Sequence, residues 1–348
     1  MQTQKKSKRG RGWKIALICV LVALAAGVGV VAYLLALQPV TLDGVADAQI
    51  VEIQSGQGAP AIGALLEQKA LLRHAWAFTA QAYLTGQFRR LQAGHYQLST
   101  DMSTAEMVAA LAQGKAALRR ITFPEGMGKR EMASLLEKEQ ICPASDFLGA
   151  ATADAVEQAL GSTLPPKAEV ADGFLFPETY LLPVGDDPGH VVDETLAQFK
   201  QKFYDPYWLP AAAQRPWGGL FQVVTLASLV EKEARVDSER PLIDGVLLGR
   251  LRKNMLLQCD ATVQYAMGQH KARLTFEDLK IDSAYNTYKY QGLPPGPICN
   301  PGLPSLQAAL HPTATDYLFY VAKADGSHVF TRTYEEHLAA IKALRGGR

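Results

Sequence analysis

Polar and apolar residues are segregated from the start of the chain. Residues 1 to 14 are polar and basic, and Ile15 to Leu37 is an uncharged apolar run, long enough to cross a bilayer as a helix at ~1.5 Å per residue. Beyond it the pattern predicts strands and helices in turn. Gln49 to Gln54 alternates as a strand, Gly56 and Gly58 turn the chain into a helix running to about Lys69, and a second helix covers Ala75 to Leu84. A strand from Gly94 to Ser99 leads to a helix begun by Ser103, where Glu106 completes a capping-box signature, and ended near Gly114. A further strand, Leu118 to Phe123, passes through Pro124-Glu125-Gly126 into a helix ending at Glu139. The pair Ser55-Gly56 followed by Ala64-Leu65-Leu66-Glu67 is echoed at an offset of 70 by Glu125-Gly126 followed by Ser134-Leu135-Leu136-Glu137. The echo fits two similar small α+β units.

Residues 140 to 170 read as helices and loops broken at Leu164-Pro165-Pro166, and Asp172 to Tyr180 is an aromatic-rich turn. That turn is either a packed cover for the core or a set of aromatic faces with one carboxylate, Glu178, lining a carbohydrate groove. A helix from Val191 to Phe203 and a loop containing Pro and Trp precede a long helical stretch, Val223 to Pro241. Pro241 fits the first turn of a further helix to Lys253, Asn254 to Gln258 reads as extended, and Asp260 is placed to cap the helix carrying Val263, Tyr265 and Ala266. Prolines and glycines make Ala284 to Gly302 an irregular loop, of the kind that often carries function. A short helix from Ser305 to Leu310 follows. Tyr317 to Lys323 and His328 to Thr333 then flank an Asp325-Gly326 turn as a hairpin, and a helix from Glu335 to Leu344 closes the chain.

With 348 residues, 48% hydrophobic and 20% charged, the composition is globular with room for two domains. The apolar run exceeds the usual core of a signal peptide and no small-x-small cleavage site follows it, so an uncleaved anchor is expected. The basic flank should stay in the cytoplasm, which places Gln38 to Arg348 outside the membrane. The formal charge of +1 hides an asymmetry, because beyond residue 14 there are 29 bases against 34 acids. A slightly acidic exported domain argues against nucleic acid as a partner. Cys19 lies in the span, whereas Cys142, Cys259 and Cys299 lie beyond it and permit at most one internal disulfide. Neither their spacing nor the seven scattered histidines fit a metal site, and no cofactor or metal is expected.

Candidate chemistry concentrates in Val223 to Pro241. On a helix, Val223, Leu226, Ala227, Val230 and Ala234 form an apolar face opposite Thr225, Ser228, Lys232 and Arg235. Glu231 and Glu233 occupy the two margins, roughly 200° apart, and so do not act as a carboxylate pair. Glu231 has Arg235 four residues on, the orientation that keeps a carboxylate ionised. Glu233 has apolar neighbours in the preceding turns and Asp237 four residues on, which favours the protonated acid. From the helix alone, the alternative is that both are solvated helix-edge residues.

Five blocks in order, Phe174 to Tyr180, Leu226 to Glu233, Leu257 to Tyr265, Tyr285 to Tyr288 and Gly292 to Gly302, resemble the endolytic murein transglycosylases of the YceG-like family. With the N-terminal anchor they cover nearly the whole chain. The chain departs from the family's pattern at Ala261, where proline is usual, at Gly249, where asparagine is usual, and at Asp172, where many members have glutamate.

The resemblance implies a mixed α+β protein. Its expected parts are a basic cytoplasmic tail (1–14), a transmembrane helix (15–37), a linker (38–48), a LysM-like α+β subdomain (49–117) and a catalytic domain with a C-terminal β-hairpin (118–345). It assigns the catalytic role to Glu233; Tyr285 and Tyr288 as ring platforms, Asn286 as an amide able to bond N-acetyl groups, and then Gln258, Asp260 and Glu178 are the candidate substrate contacts. The implied reaction cleaves the β-1,4 bond between N-acetylmuramic acid and N-acetylglucosamine with formation of a 1,6-anhydro ring. The implied location is the bacterial inner membrane with the catalytic domain periplasmic, and the implied partners are peptidoglycan strands and penicillin-binding protein synthases. Competing readings are a muramidase pairing Glu233 with Glu178, Asp237 or Glu239, and a non-catalytic glycan-binding scaffold.

Overall fold

The computed structural model describes residues 9–41, 46–165, 172–211 and 218–346. Most of the expected cytoplasmic tail, part of the expected linker, Pro166, and the Pro and Trp at 216 and 217 lie outside the described residues. The chain is a mixed α+β protein in two compact units, Met1–Leu118 with Pro183–Gly185 and Arg119–Leu182 with Asp186–Arg348.

The first unit begins with the apolar helix α1 (Arg9–Ala36), whose side chains from Trp13 to Ala32 are all exposed. Then come β1 (Ala48–Ile53), α2 (Ala59–Gln68), α3 (Ala75–Leu84), β2 (Gly94–Ser99) and α4 (Thr104–Gln113). Strands β1 and β2 pair antiparallel, with Val51 opposite Tyr96, and the helices close one core around Ile62, Leu66, Phe78 and Met107. Ser103 caps α4 as expected: its Oγ accepts from the Glu106 N–H, and Glu106 Oε2 accepts from the Ser103 N–H.

The second unit holds β3 (Leu118–Thr122), α5 (Lys129–Lys138), α6 (Ala144–Ala150), α7 (Ala153–Leu160), β4 (Thr179–Pro183) and α8 (Pro188–Phe199). Next are a short α9 (Leu209–Ala211), α10 (Leu220–Glu233), α11 (Arg240–Arg252), α12 (Asp260–Met267), α13 (Leu303–Leu310), β5 (Phe319–Ala322), β6 (His328–Thr331) and α14 (Tyr334–Gly346). Strands β3 and β4 pair, as do β5 and β6, the latter antiparallel with Tyr320 opposite Phe330 and Ala322 opposite His328.

The 70-residue echo is structural. Strands β1 and β3, and helices α2 and α5, start 70 residues apart; the turns between them place Gly56 at φ 85° and Gly126 at φ 78°. The two helices are followed by matching left-handed residues, Ala70 at φ 57° and Gln140 at φ 60°. The same strand, turn and helix geometry is thus used once in each unit.

Several local expectations are corrected. The loop expected after Phe203 begins as helix: a π-helical segment, Lys200–Trp208, continues α8 and accommodates Pro206 within its wider turns. Asn254 and Gln258 adopt left-handed φ of 53° and 52°, so this segment is not extended. The N-cap of α12 is Cys259 rather than Asp260, whose carboxylate instead accepts from Tyr288. Cys142, Cys259 and Cys299 are buried free thiols.

The stretch Val223 to Pro241 is two helices. Helix α10 stops at Glu233, because Ala234 is extended (ψ 133°), and α11 starts at Arg240 with Pro241 in its first turn. Thr225 and Ser228 lie opposite the apolar face of α10. Both are buried, each hydroxyl donating 2.7 Å to a carbonyl of its own helix, so α10 is enclosed on every side from Val223 to Val230. On α11, Asp244 is fully buried and neither carboxylate oxygen has a partner among the described residues. Burial raises its carboxyl pKa well above the usual value, so the native state holds a proton that the unfolded chain releases as pH rises. Stability therefore falls as pH climbs from the unfolded carboxyl range toward the native one. Asp244→Ala is expected to gain stability over the wild type at pH 8, by about 1–3 kcal/mol, and to lose that advantage at pH 4. Urea unfolding of both proteins at the two pH values checks this.

Candidate active site

Helix α10 ends at the floor of a cleft of about 420 Å³ lined by Glu233, Arg250, Gln258, Asp260, Tyr288 and Tyr320, with His328 at its β6 side. Helix α10 is buried from Val223 to Val230, and the three charged residues of its last turn then point in three directions. Glu231 turns inward: one oxygen lies 3.3 Å from Arg240 and the other accepts from the Gly302 N–H at 3.0 Å. Lys232 is exposed, and Glu233 enters the cleft half-buried. The expected Glu231–Arg235 pair does not form, since the helix ends before Arg235; Arg240 replaces it from α11.

Burial pushes the Glu233 carboxyl up to about 7. The Tyr320 hydroxyl, which donates to Glu233 Oε2 at 3.1 Å, opposes that rise, the Asp260 charge adds to it, and the Arg250 charge works against it. The like charge is thus Asp260 from another element, not Asp237, which pairs with Arg240 at 3.0 Å. Arg250 is held by backbone carbonyls of Leu257 (2.8 Å) and Leu318 (2.6 Å), so its charge is fixed in place.

The cleft wall comes from the irregular loop. Thr287 is buried, and its hydroxyl bonds the Cys259 N–H (3.0 Å) and the Thr262 hydroxyl (2.9 Å) while its carbonyl accepts from the Gln258 N–H (3.1 Å). This lock seats Tyr288, whose hydroxyl donates 2.5 Å to Asp260 Oδ1. The other end of the loop braces the back of α10. Asn300 is buried, its side-chain oxygen accepting from the N–H groups of Gly173 (2.7 Å) and Leu175 (3.1 Å) and its amide donating to Met127 O (2.9 Å). Gly173 must be glycine: its φ is +91°, and a Cβ there would lie 2.6 Å from both Pro297 and Val224.

Of the residues expected from sequence, the structure brings Glu233, Gln258, Asp260 and Tyr288 to one cleft. Asn286 does not line it; it is buried, with its amide donating to Leu279 O and Ile281 O, and shapes the loop. Tyr285 packs its ring 4.8 Å from Tyr265, which donates to the buried Asp172, and is also outside the lining. Glu178 is exposed, 3.9 Å from Lys202, and is not in the cleft. Sequence reasoning missed Tyr320, His328 and Arg250. The first two carry one signal, the period-two alternation of a hairpin, which puts Tyr320, Ala322, His328 and Phe330 on one face. His328 is oriented by Glu239, whose carboxylate accepts from its backbone N–H (3.1 Å) and bonds its Nδ1 (2.7 Å). A second cavity of about 390 Å³, near Tyr207 and His311, holds only Asp237 as an acid, already paired with Arg240. No cluster suited to a metal ion occurs among the described residues.

Fold and cleft define an α+β protein that presents a carboxylic acid, poised near neutrality, beneath an open groove bordered by tyrosine and carboxylate. The YceG-like family model matches residues 51–343. The chain is 33% identical over 314 residues to the endolytic murein transglycosylase of Bacillus subtilis, covering 86% of each protein. It is 30% identical over 319 residues to the Streptococcus pneumoniae D39 protein of the same name, where it spans 56% of that longer chain. A crystal structure of a YceG-like protein from Listeria monocytogenes superposes with a TM-score of 0.58 at 32% identity, over 85% of this chain and all of that one. The chain belongs to the YceG-like family.

Two predictions follow from the geometry. Replacing Tyr320 by Phe removes the hydrogen bond that favours the Glu233 carboxylate, so its titration should move above pH 7, read by carbon NMR of labelled glutamate. Asn300→Ala leaves two buried N–H groups without an acceptor and should cost on the order of 2–4 kcal/mol, measured by denaturant unfolding.

Proposed function

We propose that this protein is a membrane-anchored endolytic murein transglycosylase in which Glu233 alone performs the acid and base steps. The class follows from the family and from relatives named for that activity: the chain is a peptidoglycan lytic transglycosylase. The observation that carries the mechanism is an acid at the end of an enclosed helix, open to the cleft, with its pKa pushed up to about 7.

Protonated Glu233 donates to the oxygen bridging N-acetylmuramic acid and N-acetylglucosamine as the bond from the muramyl C1 lengthens through an oxocarbenium-like state. The N-acetylglucosamine leaves with that proton on its hydroxyl. Glu233, now ionised, takes the proton of the muramyl 6-hydroxyl, and that oxygen bonds to C1 as the 1,6-anhydro ring. No water is consumed, and Glu233 ends protonated again. A group whose two forms are about equally populated near pH 7 suits both steps. Tyr288 offers a ring edge and Gln258 an amide to the sugars, with Asp260 steadying Tyr288.

Helix α1 is the anchor, supported by its 24-residue stretch from Trp13 to Ala36, in which Lys14 is the one charged residue, with the basic start cytoplasmic and the rest periplasmic. The strand-helix-helix-strand order of residues 49–117 supports a LysM-like subdomain, and residues 118–345, ending in the β5–β6 hairpin and α14, form the catalytic domain. Cleavage within nascent strands would end their elongation, beside a penicillin-binding protein synthase.

Asp260 favours one second reading, a muramidase, because it shares the cleft with Glu233. Asp237 and Glu239 are engaged by Arg240 and His328, and Glu178 is elsewhere. Digestion of uncrosslinked glycan strands with mass analysis of the ends separates the readings: anhydro ends support the lyase, and reducing ends would establish hydrolysis. Glu233→Gln should lower turnover by about 10²–10⁴-fold; unchanged turnover would remove Glu233 from the mechanism, and glycan binding without any cleavage by the wild type would make the protein a scaffold. Because the first step needs the protonated acid, the rate should fall as pH rises through about 7. In Tyr320→Phe the fall should shift to higher pH, which a pH profile of strand cleavage tests.

A further inference from the structure

We propose that α3 is a membrane-docking helix, its outward face of Trp76, Tyr83 and Leu84 lying in the anionic phospholipid headgroup layer of the bilayer that α1 spans. The inference rests on the reading of α1 as an anchor and goes beyond it by assigning a second, peripheral contact.

Helix α3 carries no charged residue and is apolar on both sides. Ala77, Phe78 and Ala82 are buried in the core of the first unit. At ~100° per residue, Trp76, Ala80, Tyr83 and Leu84 fall on the opposite face, where Trp76 is 51%, Tyr83 54% and Leu84 75% exposed. A helix with one face in a soluble core ordinarily carries polar residues there, and an apolar face so placed marks an interaction surface.

The position of α3 identifies what covers it. The residues from Trp13 to Tyr33 span about 30 Å of helix axis, the thickness of a hydrocarbon core, so these two aromatics mark the two interfaces, where Trp and Tyr are enriched. Tyr33 donates 2.5 Å to Gln81 Oε1 on α3, and its ring lies 6.3 Å from that of Trp76. The exit from α1 is tied to the same unit. Thr104 N–H donates to Leu37 O (3.0 Å), Thr41 N–H donates to Thr100 O (2.9 Å), and the Arg73 guanidinium donates to Pro39 O (3.1 Å) and Val40 O (3.0 Å). With the exit from the helix bonded in this way, the start of α3 is held at the depth of Tyr33.

Charge points to the same occupant. No Asp or Glu occurs between Lys69 and Asp101, a segment that contains Arg73, Arg89 and Arg90. Arg73 precedes α3, and Arg89 lies over the ring of Phe88, which is stacked on Tyr83 at 4.4 Å. Apolar rings flanked by arginine, in a segment without acids, are the composition of a helix lying on anionic lipid.

The test is tryptophan quenching of the full-length protein in vesicles of phosphatidylcholine and phosphatidylglycerol with brominated acyl chains, for the wild type, Trp13→Phe and Trp76→Phe. Each substitution should remove a separate part of the quenching, and the Trp76 part should grow with the phosphatidylglycerol share in the wild type and lose that dependence in Arg89→Glu/Arg90→Glu. Quenching lost with Trp13→Phe but untouched by Trp76→Phe would overturn the docking and leave the anchor standing. Loss of neither part would overturn the anchor reading and the docking with it. A Trp76 unquenched by lipid whose emission shifts on adding soluble glycan strands would assign this face to peptidoglycan and overturn the proposal. A Trp76 part indifferent to phosphatidylglycerol would overturn the anionic partner.

Discussion

A helix enclosed on every side has to end where its last turn can be accommodated, and the arrangement of the second unit depends on how α10 does so. From Val223 to Val230 every residue is buried, and the two polar side chains in that stretch bond back to helix carbonyls. The desolvation this imposes falls on the acids that follow. Glu231 remains inside because Arg240 and the Gly302 N–H satisfy it. Glu233 has one neutral donor, Tyr320, and so keeps a raised pKa. Two glutamates two residues apart are thus held by different partners, one by a guanidinium and a backbone N–H and the other by a tyrosine hydroxyl.

The irregular loops hold this end in place through backbone bonds more than through contacts of their own. Thr287 ties the Tyr288 segment to the start of α12, while Asn300 ties the Cys299 to Gly302 segment to two turns far away in sequence. Side chains that looked suited to bind sugar, above all Asn286, are used up in this bracing. The groove keeps those that the bracing leaves facing outward: Tyr288, Gln258 and Asp260. In the first unit the same means serve another end, with Arg73, Thr100 and Thr104 fixing the exit of α1.

Much of the local structure could be read from sequence because it depends on neighbours. Helix α3 and strand β2 fall on the residues expected, the Ser103–Glu106 box forms, and Pro241 sits in the first turn of its helix. Errors occurred where a distant partner outweighed the local rule. Asp260 is a good cap by type, yet Tyr288 claims its carboxylate. Arg235 has the right spacing for Glu231, yet the helix stops first and Arg240 arrives from the next one. Thr225 and Ser228 lie opposite the apolar face as read, yet both are buried because each hydroxyl bonds to the helix backbone.

By itself the sequence determined most of the order of elements, though not strand β4, together with the apolar span at the start, the repeated strand and helix, and Glu233 as the acid whose neighbours on its own helix disfavour charge. Those properties follow from periodicity, capping and composition, which act over a few residues. Tertiary structure alone decided that Asp260, Arg250 and Tyr320, from three other places in the chain, set the protonation of Glu233, and that Tyr288 faces it while Tyr285 and Asn286 do not. The reason is range: desolvation, Coulomb interaction and hydrogen bonding depend on distances through space, and such distances exist only once the chain has folded.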